Sequence, residues 1–312
     1  MNDIIFEVKS LSKRFGNSII LDNISFSLKK GEIVAYLGHN GAGKTTTIRC
    51  MTGLLNPEGK LFFFGEEVDF SGEIDSKKLG KIGVCLDSHG FYENLSAIKN
   101  LEIYSVLYGM NDKDFYNNSK KYLKKFDLID FMNKPVKTFS KGMKQKLSLI
   151  KSIQHNPELL ILDEPFSGVD PQMRINIREI LLELKEKGIT IFTTSHDLGE
   201  TQKIADKIMI IEKGKIIVNR MKKELLEGDG ISYELKYINE NNYDMKTIVD
   251  SLKFLSVTLN EKENMLIINS EREIYFDEIY KIMAEKIKIK EFNRVEHSLE
   301  NIYFQSIKNN EH

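Results

Sequence analysis

The run GHNGAGKTTT at residues 38–47, placed directly after the apolar stretch GEIVAYL, constrains this chain more than any other segment. Three glycines, a lysine and consecutive threonines make a poor strand and a poor helix interior, so folding propensity alone leaves the run unexplained. Gly38, Gly43, Lys44 and Thr45 fit the phosphate-binding pattern G-x-x-x-x-G-K-[ST] position for position. Glycines let the backbone curl so that the N–H groups of the loop, His39, Asn40, Gly41, Ala42, Gly43, Lys44, Thr45 and Thr46, turn toward phosphate oxygens, and the following helix adds its positive end. Lys44 then reaches the β- and γ-phosphates as a point charge, and the Thr45 hydroxyl ligates Mg2+. The apolar strand before the loop and the helix-like TTIRCMTGLL after it are the context this pattern requires. A nucleoside triphosphate is the expected ligand.

The rest of the composition narrows the class. At 312 residues the chain is long enough for two domains, and 41% hydrophobic with 29% charged residues fits a globular protein. The 45 Lys and Arg balance 46 Asp and Glu to a net charge of -1, so no global field recruits nucleic acid or an acidic membrane. No apolar run approaches the roughly 18 residues that cross a bilayer, and the amino terminus lacks a basic-then-apolar leader, so a cytoplasmic location is expected. Cys50 and Cys85 sit in apolar segments without C-x-x-C spacing and read as buried thiols.

The first 35 residues, with IIFEVKSLSKRF, GNSII, DNISFSL and GEIVAYL, read as strands leading into the loop. From about residue 93 the apolar spacing becomes helical in LSAIKNLEIYSVLYG and FYNNSKKYLKKFDLIDFM. PELLILDEP and GITIFTTSH are continuous apolar runs of the buried parallel-strand kind, and IMIIEKGKIIV predicts a hairpin turning on Lys213 and Gly214. From about residue 223 the chain reads as a small α+β unit. Its expected strands lie near 231–238 and 256–270, with helices near 245–254 and 274–287 and a last helix from about 298.

Asp163 and Glu164 end LLILDEP, at the carboxyl edge of a strand where open α/β sheets bind ligands. Strand alternation predicts that the two carboxylates point apart and divide their duties. Asp163 is the candidate for holding Mg2+ through water, and Glu164 for polarising the attacking water as general base.

Together these elements resemble the ATP-binding subunits of ABC transporters over about residues 4–222. GHNGAGKTT stands as Walker A, FSKGMKQ as the signature, LLILDEP as Walker B, SGVDP as the D-loop and TTSHD as the switch-histidine loop. The resemblance implies an α/β fold of the P-loop NTPase type over 1–222, with a RecA-like core, an antiparallel β subdomain and a helical subdomain at about 88–155. A small α+β domain follows over 223–312. ATP and Mg2+ are the implied cofactors, with Glu164, His196 and Lys44 as catalytic residues. Phe15 takes the place of the aromatic that stacks on adenine. His196 is the implied switch, bonding the γ-phosphate and orienting Glu164.

The signature departs from L-S-G-G-Q, with Phe139, Lys141 and Met143 at altered positions while Ser140 and Gly142 remain. Ser140 caps a helix whose positive end, in this family, meets the γ-phosphate held by the opposite subunit. One P-loop and one signature per chain then imply a head-to-tail homodimer or a paired ATPase subunit, with Asp170 at the seam. Asp87 stands where glutamine is usual and brings a full negative charge toward Mg2+ as a further metal candidate. HSLENIYFQSI resembles the S-L-E-D-x-F helix that closes extended subunits of drug and peptide-antibiotic exporters, which implies export through a separate membrane permease. A groove near Phe91 and Tyr92 is the expected contact with it, although these aromatics equally suit a core. The second reading is a soluble ATPase of this class acting on ribosomes or DNA. Such proteins usually carry fused ATPase units, long coiled coils or basic surfaces, which this sequence lacks.

Overall fold

The computed structural model describes residues 3–68, 78, 80–86, 90–227, 231–240, 243–252, 256–260, 264–270, 273–284, 286–295 and 299–309. It divides into two compact units, residues 1–222 with 306–312, and residues 223–305.

In the first unit, β1 (Ile4–Phe15) and β2 (Ser18–Lys29) form a long antiparallel pair broken by bulges. The segments GNSII and DNISFSL are therefore one irregular strand rather than two. All five residues of β3 (Ile33–Leu37) are buried, as expected of a central strand with both faces covered. The glycine loop follows β3 and runs into α1 (Lys44–Met51). β4 (Glu58–Phe63) and β5 (Glu66–Glu67) complete an antiparallel sheet of order β2-β1-β4-β5.

β6 (Ile82–Cys85) is followed by the helices α2 (Ala97–Leu107), α3 (Asp112–Lys125) and α4 (Lys141–Ile153). The chain then alternates through β7 (Leu159–Leu162), α5 (Pro171–Glu186), β8 (Thr190–Ser195), α6 (Leu198–Ile204) and β9 (Lys207–Glu212) to β10 (Lys215–Met221). Among the described residues these strands form a second sheet of order β10-β9-β3-β8-β7-β6. All neighbours in it are parallel except the β9–β10 hairpin, which turns on Lys213 and Gly214 as the sequence predicts. The crossing helices bury Leu123, Ile150, Ile177 and Leu181 against one face of this sheet, and the antiparallel sheet with α1 covers the other, packing Leu21, Phe26 and Ile48 in one cluster with Phe192 of β8. Both cysteines are free and buried, and burial pushes the Cys50 thiol up to about 11. No helix among the described residues is long and apolar enough to cross a membrane.

After α7 (Lys222–Glu227), the second unit orders β11 (Ile231–Ile238), α8 (Met245–Ser251), β12 (Ser256–Asn260), β13 (Met265–Ser270), α9 (Phe276–Met283) and β14 (Lys288–Val295), ahead of α10 (Leu299–Asn309). Its antiparallel sheet has the order β12-β13-β11-β14 and packs Leu235, Leu266 and Ile268 against Ile248, Ile279 and Met283 of α8 and α9. Two sequence expectations change here. The strand near 256–270 is a hairpin, reversed beside Asn264 with φ +50°. The helix near 274–287 stops at Met283, and β14, absent from the sequence reading, takes up the residues beyond it.

Candidate functional site

The glycine loop lies at the carboxyl end of β3, between β8 and β9. Its shape depends on glycine at two kinds of position. Gly43 adopts φ +117°, which side chains disfavour, and a Cβ there would come within 2.8 Å of Leu21 Cδ2. Gly38 is held by proximity instead, because a Cβ would sit 2.6 Å from the Ile211 carbonyl. The hairpin braces the loop from outside: Gly214 N donates to Ala42 O at 3.1 Å, and His39 Nε2 lies 3.2 Å from Glu212 Oε2. Asn40 is exposed beside Gly41, which has φ +88°.

Lys44 is almost fully buried. Its ammonium donates to Gly38 O at 2.7 Å and to His39 O at 3.3 Å, and it lies 3.7 Å from Glu164 Oε1. A single cation thus bridges the loop carbonyls and the carboxylate after β7. Phe15, half exposed at the end of β1, lines a cavity of about 400 Å3 together with Ile20, His39, Asn40, Gly41, Gly43, Lys44, Thr45, Thr46 and Glu164. An open apolar ring at one end and a glycine cradle at the other suit a base joined to a phosphate chain.

Asp163 is 4% exposed, so its charge needs donors on every side. Thr194 Oγ1 donates to its Oδ1 at 2.6 Å, and Thr45 Oγ1 donates to its Oδ2 at 3.2 Å. The Thr45 hydroxyl and one Asp163 oxygen are therefore direct neighbours, a pair of hard oxygen donors of the kind Mg2+ takes. No cluster of three or more His, Cys, Asp or Glu side chains able to hold a metal occurs among the described residues. Asp87, the other metal candidate, lies outside the described residues.

The expected divergence of Asp163 and Glu164 is present, but its cause differs from strand alternation. β7 ends at Leu162, and Glu164 takes a left-handed conformation with φ +51°. This turn swings the Glu164 side chain to His196, whose backbone N and Nδ1 lie 3.2 Å and 2.7 Å from Glu164 Oε2. Because the carboxylate can only accept, Nδ1 carries a proton in this arrangement. Glu164 N donates to Thr194 Oγ1 at 3.0 Å, so one buried hydroxyl fixes both carboxylate residues. Thr194 was not singled out in the sequence. Its signal is its place near the end of β8, two residues before His196 in the loop that follows.

Three predicted residues stand apart from this cavity. Ser140 caps α4, accepting from Met143 N at 3.2 Å, and Gly142 lies in the first turn of that helix. Asp170 caps α5 through Met173 N at 2.9 Å. None of the three lines the cavity around Lys44. Of the groove aromatics, Phe91 packs against the core and under the Lys151 ammonium, 5.3 Å from its ring centre, whereas Tyr92 is exposed.

Comparison with known proteins agrees with this geometry. The ABC transporter family model matches residues 21–167. The chain is similar to the bacitracin transport ATP-binding protein BcrA of Bacillus licheniformis, with 39% identity over 217 residues that cover 68% of each chain. It is 36% identical over 217 residues to the lantibiotic transport ATP-binding protein SrtF of Streptococcus pyogenes, covering 69% of this chain and 90% of that one. A solved ATP-binding subunit of an ABC transporter matches with a TM-score of 0.66 at 29% identity, over 71% of this chain and 91% of that chain. The chain therefore belongs to the ATP-binding subunits of ABC transporters, an ATP-hydrolysing, Mg2+-dependent family whose members dimerise and work with a separate membrane permease.

Proposed function

We propose that this subunit drives export of a drug, peptide antibiotic or lipid-like molecule through a separate permease, working at the inner face of the cell membrane. The similarity to bacitracin and lantibiotic transport proteins carries the choice of cargo class. The contact network joining Lys44, Asp163, Glu164, Thr194 and His196 supports the assignment of chemistry to residues.

In this reading Phe15 stacks on adenine, and the loop from Gly38 to Thr46 holds the phosphates. Lys44 leaves the carbonyls of Gly38 and His39 for the β- and γ-phosphates. Thr45 and Asp163 hold Mg2+, which when bound neutralises phosphate charge. Glu164 accepts the proton of the attacking water. His196 keeps that carboxylate in place through its backbone N–H and Nδ1–H, and donation from its Nε2 to the γ-phosphate requires the imidazolium form. Ser140 and Gly142 stand at the α4 terminus offered to the nucleotide of a second copy or a paired ATPase subunit, and Asp170 meets that partner at the seam. The buttressing of the P-loop by the hairpin and of Asp163 by Thr194 supports a preorganised site.

Export is tested in cells. Expression of the chain with its cognate permease in a host sensitive to bacitracin or a lantibiotic is expected to raise the tolerated dose, and Glu164→Gln to abolish the gain. Unchanged tolerance to both compounds, with ATP hydrolysis intact, would remove the peptide-antibiotic assignment and leave the ATPase assignment standing.

A further inference from the structure

One face of α5 carries a row of charged groups. Asp170 caps the helix, and its carbonyl accepts from Arg174 N at 3.1 Å. Arg174 and Arg178 follow at four-residue steps and Lys185 seven residues later, which places them along one side. Each cation meets an acid of the segment that begins next to His196. Arg174 pairs with Asp197, Arg178 with Glu200 at 3.0 Å, and Lys185 with Asp206 at 2.6 Å.

Asp197 is the residue immediately after His196, and its groups are divided between two tasks. Oδ1 caps α6 by accepting from Glu200 N at 3.0 Å, while Oδ2 takes the Arg174 guanidinium. Its backbone N donates to Ser195 Oγ at 2.9 Å. The turn carrying His196 is thus held on both sides, and His196 keeps two hydrogen bonds on one oxygen of Glu164. The loop before Asp170 is held from its other end. A Cβ on Gly168 would lie 3.1 Å from Cε and 3.2 Å from Nζ of Lys141, so the side chain beside Ser140 rests on this loop. Contacts therefore run without a break from the start of α4, through residues 168–174, to His196.

We propose that Arg174 is a positioning residue for ATP hydrolysis. Through Asp197 it sets His196 against Glu164, and one helical turn after Asp170 it makes that placement depend on the loop that Lys141 covers. The inference rests on the assignment of Glu164 and His196 given above. A rigid planar fork suits this duty better than a flexible ammonium. The pair is partly exposed, 37% for Arg174 and 25% for Asp197, so its weight falls on geometry more than on stability.

The test uses the full chain with Arg174→Gln, Asp197→Asn and both together, since asparagine keeps the helix cap and loses the charge. Each single change is expected to lower kcat for Mg·ATP roughly tenfold, with KM and directly measured ATP affinity within about twofold of the parent. The double variant should be no worse than either single one, because both act through one contact. Arg174→Lys, which keeps the charge, should recover part of the rate and remains informative should Arg174→Gln fail to fold. A kcat within about twofold of the parent for Arg174→Gln, or single losses that multiply in the double variant, would overturn the inference. Glu164→Gln serves as the control. If it abolishes hydrolysis while Arg174→Gln is unaffected, only this inference fails, whereas continued hydrolysis by Glu164→Gln removes the reading beneath it.

Discussion

Thr194 shows how much of the site hangs on a single hydroxyl. It donates to Asp163 and accepts from the backbone of Glu164, and it has no solvent exposure with which to replace either bond. Thr194→Val keeps the shape and leaves a buried carboxylate oxygen and a backbone N–H unmatched, each costing about 1–3 kcal/mol. A lowered thermal midpoint and at least a roughly tenfold loss of phosphate release are expected, both largely restored by Thr194→Ser. At this scale, residues were legible in the sequence where chemistry dictates the residue type. A lysine flanked by glycine and threonine, or two acids closing an apolar run, leaves little choice of chemistry. Thr194 was not legible, because a buried threonine in a strand is ordinary until its partners are known. The turn at Glu164 was hidden for a related reason: glutamate has no preference for positive φ, and the surrounding contacts impose it.

Among elements, continuous apolar runs announced β3, β7 and β8, because central parallel strands are covered on both faces. The β14 strand is not legible because its sequence, KIKEFNRV, is mostly polar and spaces Ile289, Phe292 and Val295 three apart, without the two-residue alternation of a half-buried strand. The β12 and β13 hairpin reads as one strand in the sequence because no Gly or Pro stands between Asn260 and Met265 to mark the turn. The packing of α4 on β6 gives an element-scale prediction. A Cβ on Gly83 would fall 2.0 Å from the Ser152 carbonyl of α4, where no flexible side chain can yield. Gly83→Ala should therefore push α4 from the sheet and lower stability by about 3 kcal/mol, read from the urea midpoint. Since α4 begins next to Ser140, the same variant should also lose hydrolysis. Unaltered stability would mean that the helix can shift without cost.

For the whole molecule, two units with separate hydrophobic cores predict two calorimetric transitions. ATP with Mg2+ should raise only the transition of the unit containing Lys44, because a ligand stabilises the state that binds it. At about one hundred times the dissociation constant the gain is roughly 2.7 kcal/mol. A single transition, or an equal rise in both, would contradict independent folding of residues 223–305.

In the proposed reading Ser140 and Asp170, which do not line the Lys44 cavity, serve a nucleotide site completed by a second chain. The most direct measurement is the solution mass of the Glu164→Gln variant, in which ATP binds and is not consumed. With Mg·ATP the mass should become twice that of a single chain, and it should return to the single-chain value when nucleotide is removed. A single-chain mass at saturating Mg·ATP, with nucleotide demonstrably bound, would contradict the composite site.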